Sequence, residues 1–281
     1  DLTLLKNRGK LGGIAWFTTG ISLFLCGFLI ELLGFLIIVK LFAVWFGVML
    51  IIFYLSIGVI SFHNKKVPRL RYILEDRDTI LFLIPWIMFC LINWLEAPIQ
   101  EEFFGRDFFR IARVAELAFS SFSALLGGLF ADWKGRKRIA VSAFVLLGIG
   151  YAILGIFPGF KLSWYLYVIL DGIAWGMFAV VFFIILWGDL ARDMIKEKYY
   201  LIGGLPFLLS AFLQVIIEPY IKLISIFAAF SLASFFLFLA VLPLMYAPET
   251  LPEKLIRRRE LEKYVEKAKK IREKYEKQKE N

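Results

Sequence analysis

The chain has 281 residues, 60% of them hydrophobic, with 30 phenylalanines, a formal charge of +9, one histidine and two cysteines. A soluble domain holds about half its residues apolar, whereas the uncharged runs here are long enough to span about 30 Å of hydrocarbon at about 1.5 Å per helical residue. Cys26 and Cys90 lie in separate apolar runs and His63 stands alone between runs, so no metal cluster, nucleophile–base pair or structural disulfide can be assembled. Neither a catalytic residue nor a cofactor is expected.

In chain order, the apolar run 11–39 is interrupted only by Glu31, and 41–62 carries no charge. Run 80–100 is apolar until Glu96, and 107–131 opens with Arg110, Arg113 and Glu116. Run 139–160 is uncharged, 162–188 holds Asp171, 201–217 is clean but short, and 223–248 is uncharged. No run alternates with period two, which argues against a β-barrel, and an open strand edge cannot be satisfied in lipid. The expected fold is therefore an all-α polytopic bundle of about eight membrane helices. The first run is too long for a signal-peptide core, and no small-residue cleavage site follows it.

Basic residues fall on alternate connections. Lys6, Arg8 and Lys10 precede the first helix; Lys65, Lys66, Arg69, Arg71 and Arg77 fill the second connection. Lys134, Arg136, Lys137 and Arg138 fill the fourth, and Arg192, Lys196 and Lys198 the sixth. The intervening connections carry far fewer. By the positive-inside rule both termini are expected in the cytoplasm of a cell-membrane protein. The +9 charge is then topogenic and calls for a lipid bilayer as partner, not nucleic acid. The tail 247–281 is basic, with Leu261, Tyr264, Val265, Ala268, Ile271 and Tyr275 along one helical stripe. Glu266–Lys270 and Glu273–Lys277 are favourable i,i+4 pairs, the mark of a solvated or headgroup-lying helix.

The fourth connection reads Gly128-Leu129-Phe130-Ala131-Asp132-Trp133-Lys134-Gly135-Arg136-Lys137-Arg138. It resembles the signature loop of the major facilitator superfamily, Gly-x-x-x-Asp-Arg/Lys-x-Gly-Arg-Arg/Lys, with Trp133 where that family usually has a basic residue. Physically, Gly127 and Gly128 allow two helix backbones to approach closely, and Gly135 permits a tight reversal. Asp132 suits a neighbouring helix N-terminus. Arg136, followed by Lys137, is expected to pair with a carboxylate at a neighbouring helix end, with Asp189 as the candidate. Such a latch can hold one of two packing states. An ordinary positive-inside loop would need the basic residues alone, without the glycines and the aspartate.

The stretch Met245-Tyr246-Ala247-Pro248-Glu249-Thr250-Leu251-Pro252 looks like the Pro-Glu-Thr ending of sugar-porter-type facilitators. The resemblance implies that 80–246 is a six-helix, carboxyl-terminal half and 63–79 a basic cytoplasmic linker. It implies further that 1–62 ends an amino-terminal half and 247–281 is a cytoplasmic tail. Four helices of the family's twelve would then be missing, to be supplied upstream, by a complementary half-transporter or by a second copy.

Intramembrane ionisable residues are costly and are site candidates by default. At about 100° per residue, Asn93, Glu96 and Gln100 are expected on one face of the third helix, and Arg113, Glu116 and Ser120 on one face of the fourth. The resemblance implies that these helices line a central cavity, with Asp171, Trp175 and Phe178 from the sixth and Gln214 from the seventh. The simpler reading of Arg113 and Glu116 is an ion pair near the outer interface. Around Asp171-Gly172 the further residues of a membrane phosphotransferase are absent. The expectation is transport of a small solute by alternating access, with Glu96, Glu116 or Asp171 as candidate proton carriers. The alternative is a non-transporting scaffold, a degenerate half with a packed interior.

Overall fold

A computed structural model describes residues 7–33, 70–93, 96–191, 196–221 and 224–251, with isolated positions in 37–51 and Val265. Every regular element among them is helical: α1 (Arg8–Leu33), α2 (Leu70–Glu75), α3 (Arg77–Ile92), α4 (Glu96–Lys134), α5 (Arg136–Ile156) and α6 (Lys161–Phe178). A π-helical segment, Ala179–Ile185, carries α6 directly into α7 (Leu186–Leu190), followed by α8 (Glu197–Ile221) and α9 (Ile226–Tyr246). Six stretches are long and apolar enough to cross a bilayer: Arg8–Cys26, Gly105–Lys134, Arg136–Ile156, Lys161–Leu190, Glu197–Ile216 and Ile226–Tyr246. The chain is a multi-pass helical membrane protein. The expected helix 41–62, residues 63–69 of the expected linker 63–79 and the tail beyond Leu251 lie outside the described residues, isolated positions apart; the rest of that linker is largely helical, in α2 and the start of α3.

One expectation is corrected. Run 80–100 is not one helix: α3 starts at Arg77, capped by the Asp76 carboxylate on the Thr79 N–H (2.9 Å), and ends at Ile92 with Asn93 as its C-cap. Glu96 opens α4, which is itself broken at Gly105, whose φ of 78° and ψ of 170° no helix accommodates. Asn93, Glu96 and Gln100 therefore do not share a helix face. Pro98 two residues after Glu96 suits the first turn of a new helix, and three charges at 101, 102 and 106 make this stretch a poor membrane interior.

Small residues set the helix crossings. Along α1, Gly9 and Gly13 meet Gly128 and Ala124 of α4 so closely that a methyl on Gly9 or Gly128 would overlap the other's carbonyl. Gly172 and Gly176 of α6 sit against the backbone of Glu116 and Ser120 on α4 in the same way. In lipid, where no hydrophobic force separates helix from solvent, this close packing is a main source of association. The centre is aromatic: Trp86 stacks on Phe182 at 4.6 Å, and Phe178 touches Phe89 at 4.4 Å and Phe144 at 4.8 Å. Trp86 donates its indole N–H to the Gly203 carbonyl (2.7 Å), tying α3 to α8. The Tyr200 hydroxyl donates to the Ile184 carbonyl in the π-helical segment, where the ordinary i→i+4 ladder is interrupted. Leu201, Leu205, Leu208, Phe212 and Val215 of α8 point outward, as a lipid-facing surface requires.

Candidate functional site

At one end of the bundle, residues 132–137 connect four helix ends. Asp132 accepts the Gly9 N–H on Oδ1 (2.9 Å) and the Lys10 N–H on Oδ2 (2.8 Å), so a residue of α4 caps the first turn of α1. Those amides belong to the orphan donors of a helix start, and a carboxylate there also meets the positive end of the helix dipole. Gly135 has φ 109°, and a side chain at that position would also strike the Glu249 carboxylate. Glu249 in turn accepts the N–H of Arg136 (2.8 Å) and of Lys137 (3.3 Å), capping α5 from beyond the end of α9. Lys137 completes the exchange: its ammonium donates to the carbonyls of Met245 and Ala247, both at 2.7 Å, at the C-terminus of α9.

Arg136 is fully buried, and its Nε lies 2.8 Å from Oδ2 of Asp189, whose side chain is 2% exposed. Arg8 reaches the other oxygen of the same carboxylate at 2.7 Å, and Arg136 lies 3.8 Å from Asp132. Two guanidinium groups and two carboxylates thus form a closed set between α1, α4, α5 and α7. Trp133 stands outside it: half-exposed, it stacks on Phe130 at 6.2 Å with the Lys134 ammonium 5.4 Å from its ring. That is the behaviour of an interfacial aromatic anchor.

Further along the bundle lies an open cleft-like cavity of about 200 Å³. Its polar lining is Asn93 from the end of α3, Arg113, Glu116 and Ser120 from α4, and Asp171 from α6; Trp16 of α1, Trp175 of α6 and Leu117 complete it. Arg113 and Glu116 are paired at 2.8 Å. Trp16 donates its indole N–H to Ser120 Oγ (3.0 Å), which fixes α1 across the polar face. Asp171 is 3% exposed, ten residues and about 15 Å along the helix from Lys161.

The structure thus gathers Asn93, Arg113, Glu116, Ser120 and Asp171 in one place and leaves other candidates elsewhere. Gln214 is half-buried on α8, outside the lining, and Phe178 is buried in the aromatic centre. Gln100 is completely buried apart from the cavity. The side chains of Glu31 and Glu96 lie outside the described set. Asn93, Glu116 and Asp171 are each 6% exposed or less. The glycine-lined approach of α1 to α4 brings Trp16 over them. Sequence reasoning missed three participants: Trp16, Arg8 and Glu249. Arg8 resembles topogenic charge, and only the Pro-Glu-Thr resemblance drew notice to Glu249.

The sequence matches no protein-family model and no curated protein.

Proposed function

We propose that this chain is part of a secondary transporter of the major-facilitator type, moving a small solute through the cavity bounded by Trp16, Arg113, Glu116 and Asp171. The observation that carries the reading is that cavity: three ionisable groups and two neutral polar ones converge from three helices inside an apolar bundle. Such groups in membrane helices are expensive and characteristically mark solute or proton paths. A scaffold gains nothing from an arginine and two carboxylates that aliphatic side chains would replace.

The contacts around Asp132 support the same reading from the other end. They join α1 to α4, α5 and α7 through capping bonds and ion pairs at the end of the close-packed α1–α4 crossing. Contacts of that kind can open and re-form as two bundles rock. The basic residues Arg8, Arg136 and Lys137 all belong to this end, which supports a cytoplasmic location for it and for both termini. A helical bundle supplied upstream, by a complementary half or by a second copy, would face the cavity in the full transporter.

Solute flux into proteoliposomes tests the proposal, with the full chain, the same chain extended upstream, and Asp171→Asn in each. Flux that requires Asp171 in either form supports it. Flux equal in wild type and Asp171→Asn, with both proteins monodisperse, makes Asp171 structural. Absence of flux in every form leaves the scaffold reading.

A further inference from the structure

Resting on the transport reading above, we infer that Trp16 is the gate at the Asp132 end of the cleft. Its indole closes the cleft while Ser120 and Phe183 hold it, and a path toward the Asp132 cluster opens when it leaves both. The other end of the cleft is open. Leading into it along α4, the Asp107 and Arg110 side chains are exposed, Arg113 is 32% exposed and Glu116 only 7%. Ser120, one turn further, is buried, and so are Ala124, Ala131 and Asp132 beyond it. Exposure thus falls away within about two turns, and the closed stretch begins at Ser120.

Three lining residues stand nearest that end: Ser120 on α4, Trp175 on α6 and Trp16 on α1. The first two are locked in place. A methyl on Gly176 would overlap the Ser120 carbonyl, so α6 and α4 touch backbone to backbone there, and Trp175 is held edge-on by Phe89 at 5.3 Å and Phe207 at 5.9 Å. Trp16 is placed differently. Helix α1 runs antiparallel to α4, and along the facing stripe Gly9 meets Gly128, Gly13 meets Ala124, Trp16 meets Ser120 and Gly20 meets Ser121. Three positions of that stripe carry no side chain, and the fourth carries the bulkiest one. It stands where the close crossing ends and the cleft begins. Its Nε1–H donates to Ser120 Oγ at 3.0 Å, and its ring stacks on Phe183 at 6.1 Å with the planes 15° apart. One hydrogen bond and one stacked contact are each worth about 1 kcal/mol, a hold that a moving helix can break and remake.

The contacts on either side of Trp16 couple it to the rest of the bundle. Phe183 belongs to the π-helical segment Ala179–Ile185, an irregularity that recurs at functional sites. The next residue, Ile184, lies against Gly12 of α1, and its carbonyl accepts the Tyr200 hydroxyl of α8. A shift of α1 is therefore passed to α6 and α8 at one point. The start of α1 is held by the Asp132 cap and by the Arg8–Asp189 pair. From Ser120 to Asp132 along α4 is about 18 Å, so the same helix carries the gate at one place and the polar cluster two to three turns before it. Loosening the cluster frees α1 to draw Trp16 away from Ser120, and the path so opened leads to the cluster.

A thiol in the cleft tests the gate. Asn93→Cys, with Cys26→Ala and Cys90→Ala, places a reporter on the lining. In liposomes, a membrane-impermeant thiosulfonate is applied from each side of the bilayer in turn. The reporter should react from the Arg113 side, and at least about tenfold more slowly from the Asp132 side, as a closed gate with a minor open state requires. Trp16→Ala should raise the Asp132-side rate by about tenfold or more without raising the other. Ser120→Ala removes only the acceptor and should raise it about fivefold, the worth of one hydrogen bond. Trp16→Phe keeps a ring against Phe183 and should match Ser120→Ala. These two variants decide the matter if Trp16→Ala does not fold. Unchanged Asp132-side rates in well-folded Trp16→Ala and Ser120→Ala overturn the inference and leave the transport reading standing. Equal rises from both sides also overturn it, since Trp16 would then be general packing. A one-sided rise with solute flux absent in every form upholds Trp16 as the barrier and removes the transport reading.

Discussion

Asp189 receives Arg136 at 2.8 Å on one carboxylate oxygen and Arg8 at 2.7 Å on the other, so a single buried carboxylate joins the start of α1 to the start of α5. The pair is asymmetric in its demands. Arg136 is wholly buried, whereas the Arg8 side chain is 25% exposed and has water as an alternative. Asp189→Asn should therefore cost about 3–5 kcal/mol, the typical result of stranding a buried charge. Arg136→Leu combined with Asp189→Leu should cost less than Asp189→Asn alone. Unfolding in sodium dodecyl sulfate measures both. A double variant less stable than wild type by the full sum of the separate Arg136→Leu and Asp189→Leu losses would show that the two side chains are not coupled.

The Asp132 cap makes a graded prediction. Asp132→Ala removes the acceptor for both the Gly9 and the Lys10 N–H, a loss of about 1 kcal/mol. Asp132→Asn keeps one carbonyl oxygen and should lose less. If the α1–α4 contact belongs to one of two packing states, 1 kcal/mol shifts a balanced population about fivefold. Reactivity of single cysteines toward membrane-impermeant reagents, added from each side, reads that population. Unchanged reactivity on both sides in well-folded Asp132→Ala protein would leave the loop as a static cap.

Gly128 and Gly204 form a matched pair. A methyl at Gly128 meets the Gly9 carbonyl, whereas around Gly204 nothing lies within 4 Å. Gly128→Ala should destabilise by about 1–3 kcal/mol through overpacking. Gly204→Ala, on a helix with open space, should be neutral or stabilising by up to about 1 kcal/mol. Thermal unfolding of the two variants side by side checks this. Equal shifts would mean that the α1–α4 crossing relaxes freely.

Glu249 accepts three backbone N–H groups, those of Arg136, Lys137 and Leu251. Glu249→Ala should lower stability by about 1–3 kcal/mol, the cost of unsatisfied buried donors. Hydrogen exchange should quicken at the first turn of α5 before it quickens in the middle of that helix. Exchange rising uniformly along α5 would assign the loss to global unfolding instead of the cap.

Much of this was legible along the chain. Uncharged runs mark membrane helices because charge in hydrocarbon is costly, and five of the six described spans lie within a few residues of those runs. The spacing of Gly128, Asp132, Gly135 and Arg136 was enough to anticipate a cap and an ion pair with Asp189, since both are local needs of helix ends. The break after Asn93 was not legible. Apolar composition continues through Ile92-Asn93-Trp94-Leu95, and hydropathy cannot distinguish a continuous helix from two joined at a cap.

The sequence by itself determined that this protein is a helical membrane bundle and which residues are too polar to face lipid, because both follow from transfer free energies that each residue carries alone. Only the tertiary structure decided which of those polar residues meet. Asn93, Arg113, Glu116 and Asp171 share a cavity, while Gln214 does not, because helix crossing depends on how closely two backbones approach. That approach is set by small residues on facing helices, Gly9 with Gly128 and Gly176 with Ser120; the sequence marks Gly128 as a place where a backbone can come close, but which helix comes there is a property of pairs of surfaces. Trp16 reaches Ser120 for the same reason: α1 lies near enough to α4 only where neither helix carries a side chain in the way.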